Sequence, residues 1–257
     1  MSLDSLEEFL NRIRSQPPQD DLVEGLIPAG PGIVILGGRP GIAKTNLALQ
    51  LGFSVATGTS FLETFNTHRV KVGYLGFEGS PQKMADRLIK IKDSFPDTEG
   101  YFHFDICNPV QFQEAEPSFL KLFAGMGLVI LDPLKYMVRG DYVKPSDANA
   151  FIVGVQIFSH ELNAPVVLVH HVRKSNPYLL MSPGDLFEIK GAADYVEAAT
   201  TVLLLEREHQ KHDSSGRFTR MSPDSRMLYF PKTRDAIEDI EPMPLLFSRN
   251  KLLLIKK

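Results

Sequence analysis

Residues 33–46 read Ile-Val-Ile-Leu-Gly-Gly-Arg-Pro-Gly-Ile-Ala-Lys-Thr-Asn, and this stretch decides the fold. Four β-branched or aliphatic residues in a row predict a buried strand, the glycines a tight loop, and Lys44 onward a helix. Gly38, four residues, then Ala43-Lys44-Thr45 fits the Walker A spacing with one change. Each residue type answers a chemical need. Glycines let backbone N–H groups curl round a phosphate, and the helix N-terminus adds partial positive charge. Lys44 reaches the outer phosphates of a nucleotide, and the Thr45 hydroxyl ligates Mg²⁺. Gly38, Pro40, Gly41, Ile42, Ala43, Lys44, Thr45 and Asn46 are therefore the candidate phosphate-binding residues. The departure is Ala43, where glycine is usual; its Cβ is tolerable if φ is negative there. The alternative is a glycine-rich turn that binds nothing.

Outward from this loop, apolar runs and helical stretches alternate. Strands are predicted at Val72 to Phe77, Tyr101 to Ile106, Leu128 to Leu131 and Val166 to Val169. Helices are predicted at Lys44 to Val55, Pro81 to Phe95, Pro117 to Ala124 and Asp147 to Leu162. Alternation from about residue 30 to 170 is the signature of an α/β domain with a parallel sheet, and short all-apolar strands fit a sheet covered on both faces. After residue 200 the texture changes: Val202 to Leu205, Met227 to Phe230, Leu245 to Phe247 and Leu252 to Ile255 read as an antiparallel extension of that sheet. At the other end, Ser5 and Glu8 with Leu6, Phe9, Leu10 and Ile13 read as a short capped amphipathic helix, broken by Pro17 and Pro18. His209 to Gly216 reads as a polar hairpin loop. Tyr136–Ser146 and Arg173–Lys190 read as long loops, a class usually functional or mobile.

Other chemistry-bearing residues stand at strand ends. Asp132 closes the run Leu128-Val129-Ile130-Leu131, where a carboxylate can hold Mg²⁺ through water or cap the next turn. Glu78 follows the strand from Val72; it can orient an attacking water, or be a surface acid opening the helix at Pro81. His170 and His171 end the strand from Val166; at least one of the pair is expected to pack against neighbouring loops, and His171 is the candidate for sensing a terminal phosphate. Lys232 and Arg234, two apart on an extended segment, point the same way. They can stabilise charge on a transferring phosphoryl group, possessed by this chain or a neighbouring copy, or guard an edge strand against aggregation.

The ordered set resembles the RecA-like ATPases, and most nearly the hexameric replicative helicases of the RepA and DnaB type. The matching phrases are Gly-Gly-Arg-Pro-Gly-Ile-Ala-Lys-Thr (37–45), Tyr-Leu-Gly-Phe-Glu-Gly-Ser-Pro (74–81) with Arg87 following, Leu-Val-Ile-Leu-Asp-Pro-Leu (128–134), Val-Leu-Val-His-His-Val-Arg-Lys (167–174), Lys-Gly-Ala-Ala-Asp (190–194) and Phe-Pro-Lys-Thr-Arg (230–234). The resemblance spans roughly residues 20 to 255. It implies an N-terminal helical segment over 1–20 and a RecA-like ATPase domain over 21–257. By resemblance Lys44 and Thr45 bind ATP and Mg²⁺, Asp132 supports the metal, Glu78 is the catalytic carboxylate, and His171 senses the γ-phosphate. Lys232 with Arg234 acts across a subunit interface, and Arg87 lies near the base or sugar. The two long loops line a central pore, making Arg139, Lys144, Arg173, Lys174 and Lys190 the candidate contacts to single-stranded DNA. The implied activity is an ATP-driven ring helicase of a mobile element. The alternatives are an ATP-switched regulatory module of the same fold and a filament-forming recombinase. Besides Ala43, two positions depart from the pattern: Asp235-Ala236 follows Lys-x-Arg, and Val196 to Thr200 carries no arginine.

Composition bounds these readings. The chain has 257 residues, 28 Lys plus Arg against 31 Asp plus Glu, and a formal net charge of −3, so any contact with nucleic acid comes from a few placed cations rather than an overall basic coat. No unbroken apolar run exceeds four residues, so no membrane span is expected, and the first ten residues lack a signal sequence. The one cysteine, Cys107, excludes an internal disulfide and fits a free thiol in a reducing compartment, here taken as the cytoplasm.

Overall fold

The computed structural model describes residues 3–15, 20–172, 184–186, 189, 192–208, 222–234 and 240–257. The strands are β1 (Asp21–Val23), β2 (Ile27–Pro28), β3 (Gly32–Gly38), β4 (Val72–Gly76), β5 (Phe102–Ile106), β6 (Leu128–Asp132), β7 (Pro165–His171), β8 (Thr201–Arg207), β9 (Ser225–Thr233), β10 (Met243–Ser248) and β11 (Leu253–Lys256). The helices are α1 (Leu6–Arg14), α2 (Lys44–Thr57), α3 (Pro81–Lys92), α4 (Phe112–Leu122), α5 (Pro145–Leu162) and α6 (Ala192–Ala198), with a short 3-10 turn at Leu134–Tyr136.

A 9-stranded sheet in the order β11-β10-β9-β8-β3-β7-β6-β4-β5 forms the centre, and β1 and β2 make a small separate hairpin. Strands β5, β4, β6, β7, β3 and β8 run parallel, and β9, β10 and β11 continue antiparallel. The expected α/β sheet forms, with one difference: the stretch from Val202 lies parallel to β3, so the antiparallel extension begins one strand later. Its return crossover carries α6, a helix too short to show periodicity.

The all-apolar strands serve two faces at once. Val34 and Leu36 of β3, with Val167 and Val169 of β7 and Ile130 of β6, pack under α2 and α3. Ile33 and Ile35, with Val129, Leu131, Val166 and Leu168, face α4, α5 and α6. Period-two alternation between two covered faces leaves no polar position in the run.

Helix α4 starts at Phe112, five residues before the predicted start, and carries Pro117 inside. A proline there removes a helix hydrogen bond. Phe112, Phe119 and Phe123 are nevertheless buried along one face. Phe112 meets the Phe151 and Phe158 rings of α5 edge-on at 5.6 and 5.4 Å, and this aromatic packing outweighs the lost bond. Helix α1 has the predicted capping box between Ser5 and Glu8 and buries none of its residues. His209 to Gly216 lies outside the described residues. No helix among the described residues is long and apolar enough to cross a membrane.

Candidate nucleotide site

Register puts the strand-end residues on one edge. Gly38 pairs with His171, Leu131 with Leu168, and Gly76 with Asp132. The carboxyl ends of β3, β7, β6 and β4 therefore lie in line, and the segments leaving them converge on a cleft of ≈ 360 Å³. Its lining includes Pro40, Gly41, Ala43, Lys44, Thr45, Asn46, Glu78, Arg87, Asp132 and His171, so most residues singled out from sequence meet there. The volume falls within the ordinary range for small-molecule sites.

The loop from Gly38 to Ala43 has glycine where geometry demands it. A Cβ on Gly38 would stand 2.7 Å from the Leu205 carbonyl oxygen, and Gly41 sits at φ +73°. Ala43 contradicts the expectation of a negative φ. It caps α2 at φ 83° and ψ 28°, in the left-handed region, so its Cβ is held there at a cost. The Ile42 side chain is buried, its N–H donates to the Arg39 carbonyl at 3.3 Å and its carbonyl accepts from Arg226 Nε at 3.1 Å. Asn46 lines the cleft, and its side-chain amide donates to the Leu252 carbonyl at 2.8 Å, tying α2 to the turn between β10 and β11.

Lys44 is 6% exposed. Its ammonium donates to the Arg39 carbonyl at 2.9 Å and lies 3.3 Å from His171 Nδ1. Burial brings its pKa down to about 8; Asp132 and Glu78 oppose that shift, and Lys135 adds to it. Asp132 is buried, accepts from Tyr74 Oη at 2.6 Å, and hydrogen-bonds with Thr45. Burial raises its carboxyl above the ordinary range against those two bonds and the Lys44 charge. The second histidine, His170, is buried and packs against the Tyr142 and Tyr195 rings, with centroids 5.9 and 5.1 Å away. Of the pair, His171 is the one that lies toward Lys44.

Glu78 is half exposed and bound by a residue the sequence reading missed. Lys135 Nζ lies 2.5 Å from Glu78 Oε1. Tyr136 also hydrogen-bonds to Glu78. Burial pushes the Glu78 carboxyl up, but these two bonds and the charges of Lys135 and His171 outweigh it and hold the group below its usual value. Three further residues escaped the sequence reading: Tyr74, Arg226 and Phe247. The last two come from β9 and β10 and line the same cleft. Arg226 is a buried cation whose described hydrogen bonds all go to backbone carbonyls, those of Ile42, Pro223 and Ser225.

Lys232 and Arg234 stand elsewhere. Lys232 pairs with Val202, which pairs with Ile35, three residues before Gly38 along β3. Three strand residues are roughly 10 Å, so the pair lies toward the amino end of the sheet and away from this chain's phosphate loop. Lys232 Nζ donates to the Val196 and Glu197 carbonyls at 2.6 and 3.1 Å, and Arg234 donates to the Glu197 carbonyl at 3.0 Å. Both cations cap the last carbonyls of α6 in this chain.

Of the candidate DNA contacts, Arg139 and Lys144 are exposed on the loop between the 3-10 turn and α5. Lys144 pairs with Asp147 at 3.7 Å, and the Asp147 carboxylate also accepts from the Asp141 N–H at 3.0 Å. Arg173, Lys174 and Lys190 lie outside the described residues. Cys107 is a half-buried free thiol. No group of three metal-ligating His, Cys, Asp or Glu exists among the described residues.

The model of the AAA domain family matches residues 3–177. Among solved structures, the ATPase domain of G40P is similar over 100% of both chains at 12% identity, with a TM-score of 0.71. A DnaB-like replicative helicase, described with its interactions with primase, is similar over 98% of this chain and 67% of its own at 12% identity and TM-score 0.67. The RadB recombinase is similar over 89% and 92% at 16% identity and TM-score 0.58. No curated protein matches the chain. At these identities the structural likenesses speak for the fold.

Proposed function

The chain belongs to the AAA domain family and has the RecA-like P-loop ATPase fold, and from that premise we propose that it hydrolyses ATP as a ring-forming motor on single-stranded DNA, each site completed by the neighbouring copy. The observation that carries this reading is the separation of two sets of residues. Lys44, Thr45, Glu78, Asp132 and His171 line one edge of the sheet, while Lys232 and Arg234 sit toward its amino end. Head-to-tail packing brings such unlike surfaces together and closes into a ring when the rotation allows.

The side chains fit a magnesium nucleotide. Thr45 and Asp132 offer hard oxygen donors side by side, already hydrogen-bonded to each other, as Mg²⁺ requires. Bound there, Mg²⁺ neutralises charge on the phosphate oxygens. Lys44 exchanges the Arg39 carbonyl for phosphate, which restores the charge its burial disfavours. Glu78 orients the attacking water, and His171 donates toward the terminal phosphate. Arg87 and Phe247 line the cleft as a cation and a ring able to hold a base by stacking. Lys232 and Arg234 release the α6 carbonyls to meet the partner's phosphates, where charge develops in the transition state. Arg139 and Lys144 face the pore and bind DNA phosphates without regard to sequence.

A second reading, an ATP-switched regulatory module, draws on the loop's charge balance: Asp141 and Asp147 stand against Arg139 and Lys144. Steady-state ATP hydrolysis with and without single-stranded DNA, at two salt concentrations, separates the two. The motor predicts severalfold stimulation that weakens with salt and is abolished in Lys44→Ala. A flat response to DNA favours the module, and filaments instead of rings under the electron microscope favour a recombinase.

A further inference from the structure

Arg226 is a buried charge that no carboxylate neutralises among the described residues. It is 4% exposed and stands at the start of β9, paired with Arg207 of β8 and Leu245 of β10. Its Nε donates to the Ile42 carbonyl at 3.1 Å, and its Nη1 donates to the Pro223 and Ser225 carbonyls at 2.6 and 2.9 Å. A guanidinium has five N–H donors, so both donors of Nη2 remain without a partner among the described residues. The neighbouring carboxylate, Asp224, is already taken. Arg249 Nε meets both of its oxygens at 2.9 Å, and Arg249 Nη2 lies 2.8 Å from one of them. Burial and the charges of Arg207 and Arg249 disfavour the Arg226 cation, and Asp224 opposes them. An arginine keeps its proton even so, and the fold therefore carries an unpaired internal cation.

This cation lines the nucleotide cleft with Pro40, Gly41, Lys44 and Phe247. Sheet order fixes the side from which it comes. β7, β6 and β4 lie on one flank of β3, and His171, Asp132 and Glu78 stand at or just past their ends; β8, β9 and β10 lie on the other. His171 Nδ1 is 3.3 Å from Lys44 Nζ, so the chemistry at the terminal phosphate falls on the first flank. Arg226 reaches Ile42 of the phosphate loop from the second. A nucleotide whose last phosphate lies by His171 therefore presents its inner phosphates toward Arg226.

We propose that Arg226 binds an inner phosphate of the nucleotide held by its own chain, through the two donors of Nη2. The proposal rests on the reading of the cleft as a nucleotide site. Burying a cation without a counterion is unfavourable, and an anion that arrives with the ligand relieves that penalty. The three carbonyl bonds fix the planar guanidinium in one orientation, so little side-chain freedom is lost on binding. The role differs from that of Lys232 and Arg234, which stand toward the amino end of the sheet and act on the partner's nucleotide.

The test is titration calorimetry of the full chain with MgADP and with a non-hydrolysable ATP analogue. It compares wild type with Arg226→Met, Arg226→Gln and Arg226→Lys, each also melted without nucleotide, and either neutral variant that folds suffices. The neutral variants are expected to weaken ADP by about ten- to hundredfold, and the analogue by the same factor, because the terminal phosphate lies on the other flank. Arg226→Lys keeps the charge without the guanidinium's geometry, and its affinity falls between wild type and the neutral pair. A purely structural arginine would instead weaken lysine and neutral variants alike. That result overturns the proposal while nucleotide binding stands. So does an affinity within twofold of wild type in a neutral variant, or a larger loss for the analogue than for ADP. If wild type binds neither nucleotide, the reading of the cleft falls and the proposal with it.

Discussion

Ala43 occupies a left-handed conformation at the position where phosphate loops ordinarily carry glycine, and that conformation yields a stability series. The residue sits at φ 83° and ψ 28° while its carbonyl accepts the first bond of α2, from Leu47 N–H at 3.0 Å. The loop enters the helix through this residue, so the angle is fixed by the phosphate cradle and the helix start together. An L-residue in that region costs roughly 1–2 kcal/mol relative to glycine. Ala43→Gly removes the strain but adds freedom to the unfolded chain, which offsets about 0.4–1 kcal/mol. The net gain is about 0.5–1 kcal/mol, or roughly 1–4 °C in Tm for a chain of this size. Ala43→Val puts a β-branched side chain at positive φ and adds about 1–2 kcal/mol of cost, a fall of roughly 2–8 °C. The assay is thermal unfolding followed by circular dichroism, without nucleotide, at fixed pH and salt. The order Gly above Ala above Val is expected. A lower Tm for Ala43→Gly, or equal values for Ala and Val, refutes the strain argument.

Two further outcomes follow from the same cleft. Tyr74→Phe keeps the ring in its stack against Phe104 at 5.2 Å but strips the buried Asp132 carboxylate of its bond from the Tyr74 hydroxyl. A loss of about 1.5–3 kcal/mol is expected, a drop of roughly 3–12 °C, and an unchanged melting curve would remove Tyr74 from the site's support. Lys44, brought down to about 8 by burial, is protonated in the unfolded chain and largely neutral in the nucleotide-free fold between that value and 10.5. The unfolded state binds more protons across that window, so Lys44 makes nucleotide-free stability rise with pH there. Phosphate favours the ammonium, so nucleotide binding near pH 8.5 takes up a proton. Titration calorimetry in two buffers of different ionisation enthalpy reads that uptake, and equal heats in both would contradict it.

The site was legible wherever a strand's apolar run stops at a polar residue, because parallel strands bring those stops to one edge. Gly38, Asp132 and His171 announce themselves this way, and Glu78 follows from the strand before it. What stayed hidden depends on which strands are neighbours. Lys135 matters because β4 lies beside β6, and nothing local in Leu-Lys-Tyr marks that. Arg226 and Phe247 reach the cleft from the antiparallel half of the sheet, far along the chain from the loop they meet. The sign of φ at Ala43 and the turning of Asn46 toward Leu252 are set by tertiary packing, as is the survival of α4 through Pro117, where a face of three buried phenylalanines overrides a local breaker. Lys232 and Arg234 were legible as a pair, but only the register of β8 and β9 shows how far they stand from the phosphate loop of their own chain.

That distance underlies the central claim, that hydrolysis is completed by an adjacent copy. The direct measurement mixes Arg234→Ala subunits with Glu78→Gln subunits, each inactive alone, and follows ATP hydrolysis across mixing ratios with DNA present. In a ring, a Glu78 site on one mutant beside an intact Arg234 on the other restores function at about a quarter of the interfaces in an equal mixture, so activity should return and peak near equal parts. Mixtures inactive at every ratio, although rings form, would contradict completion by the neighbour.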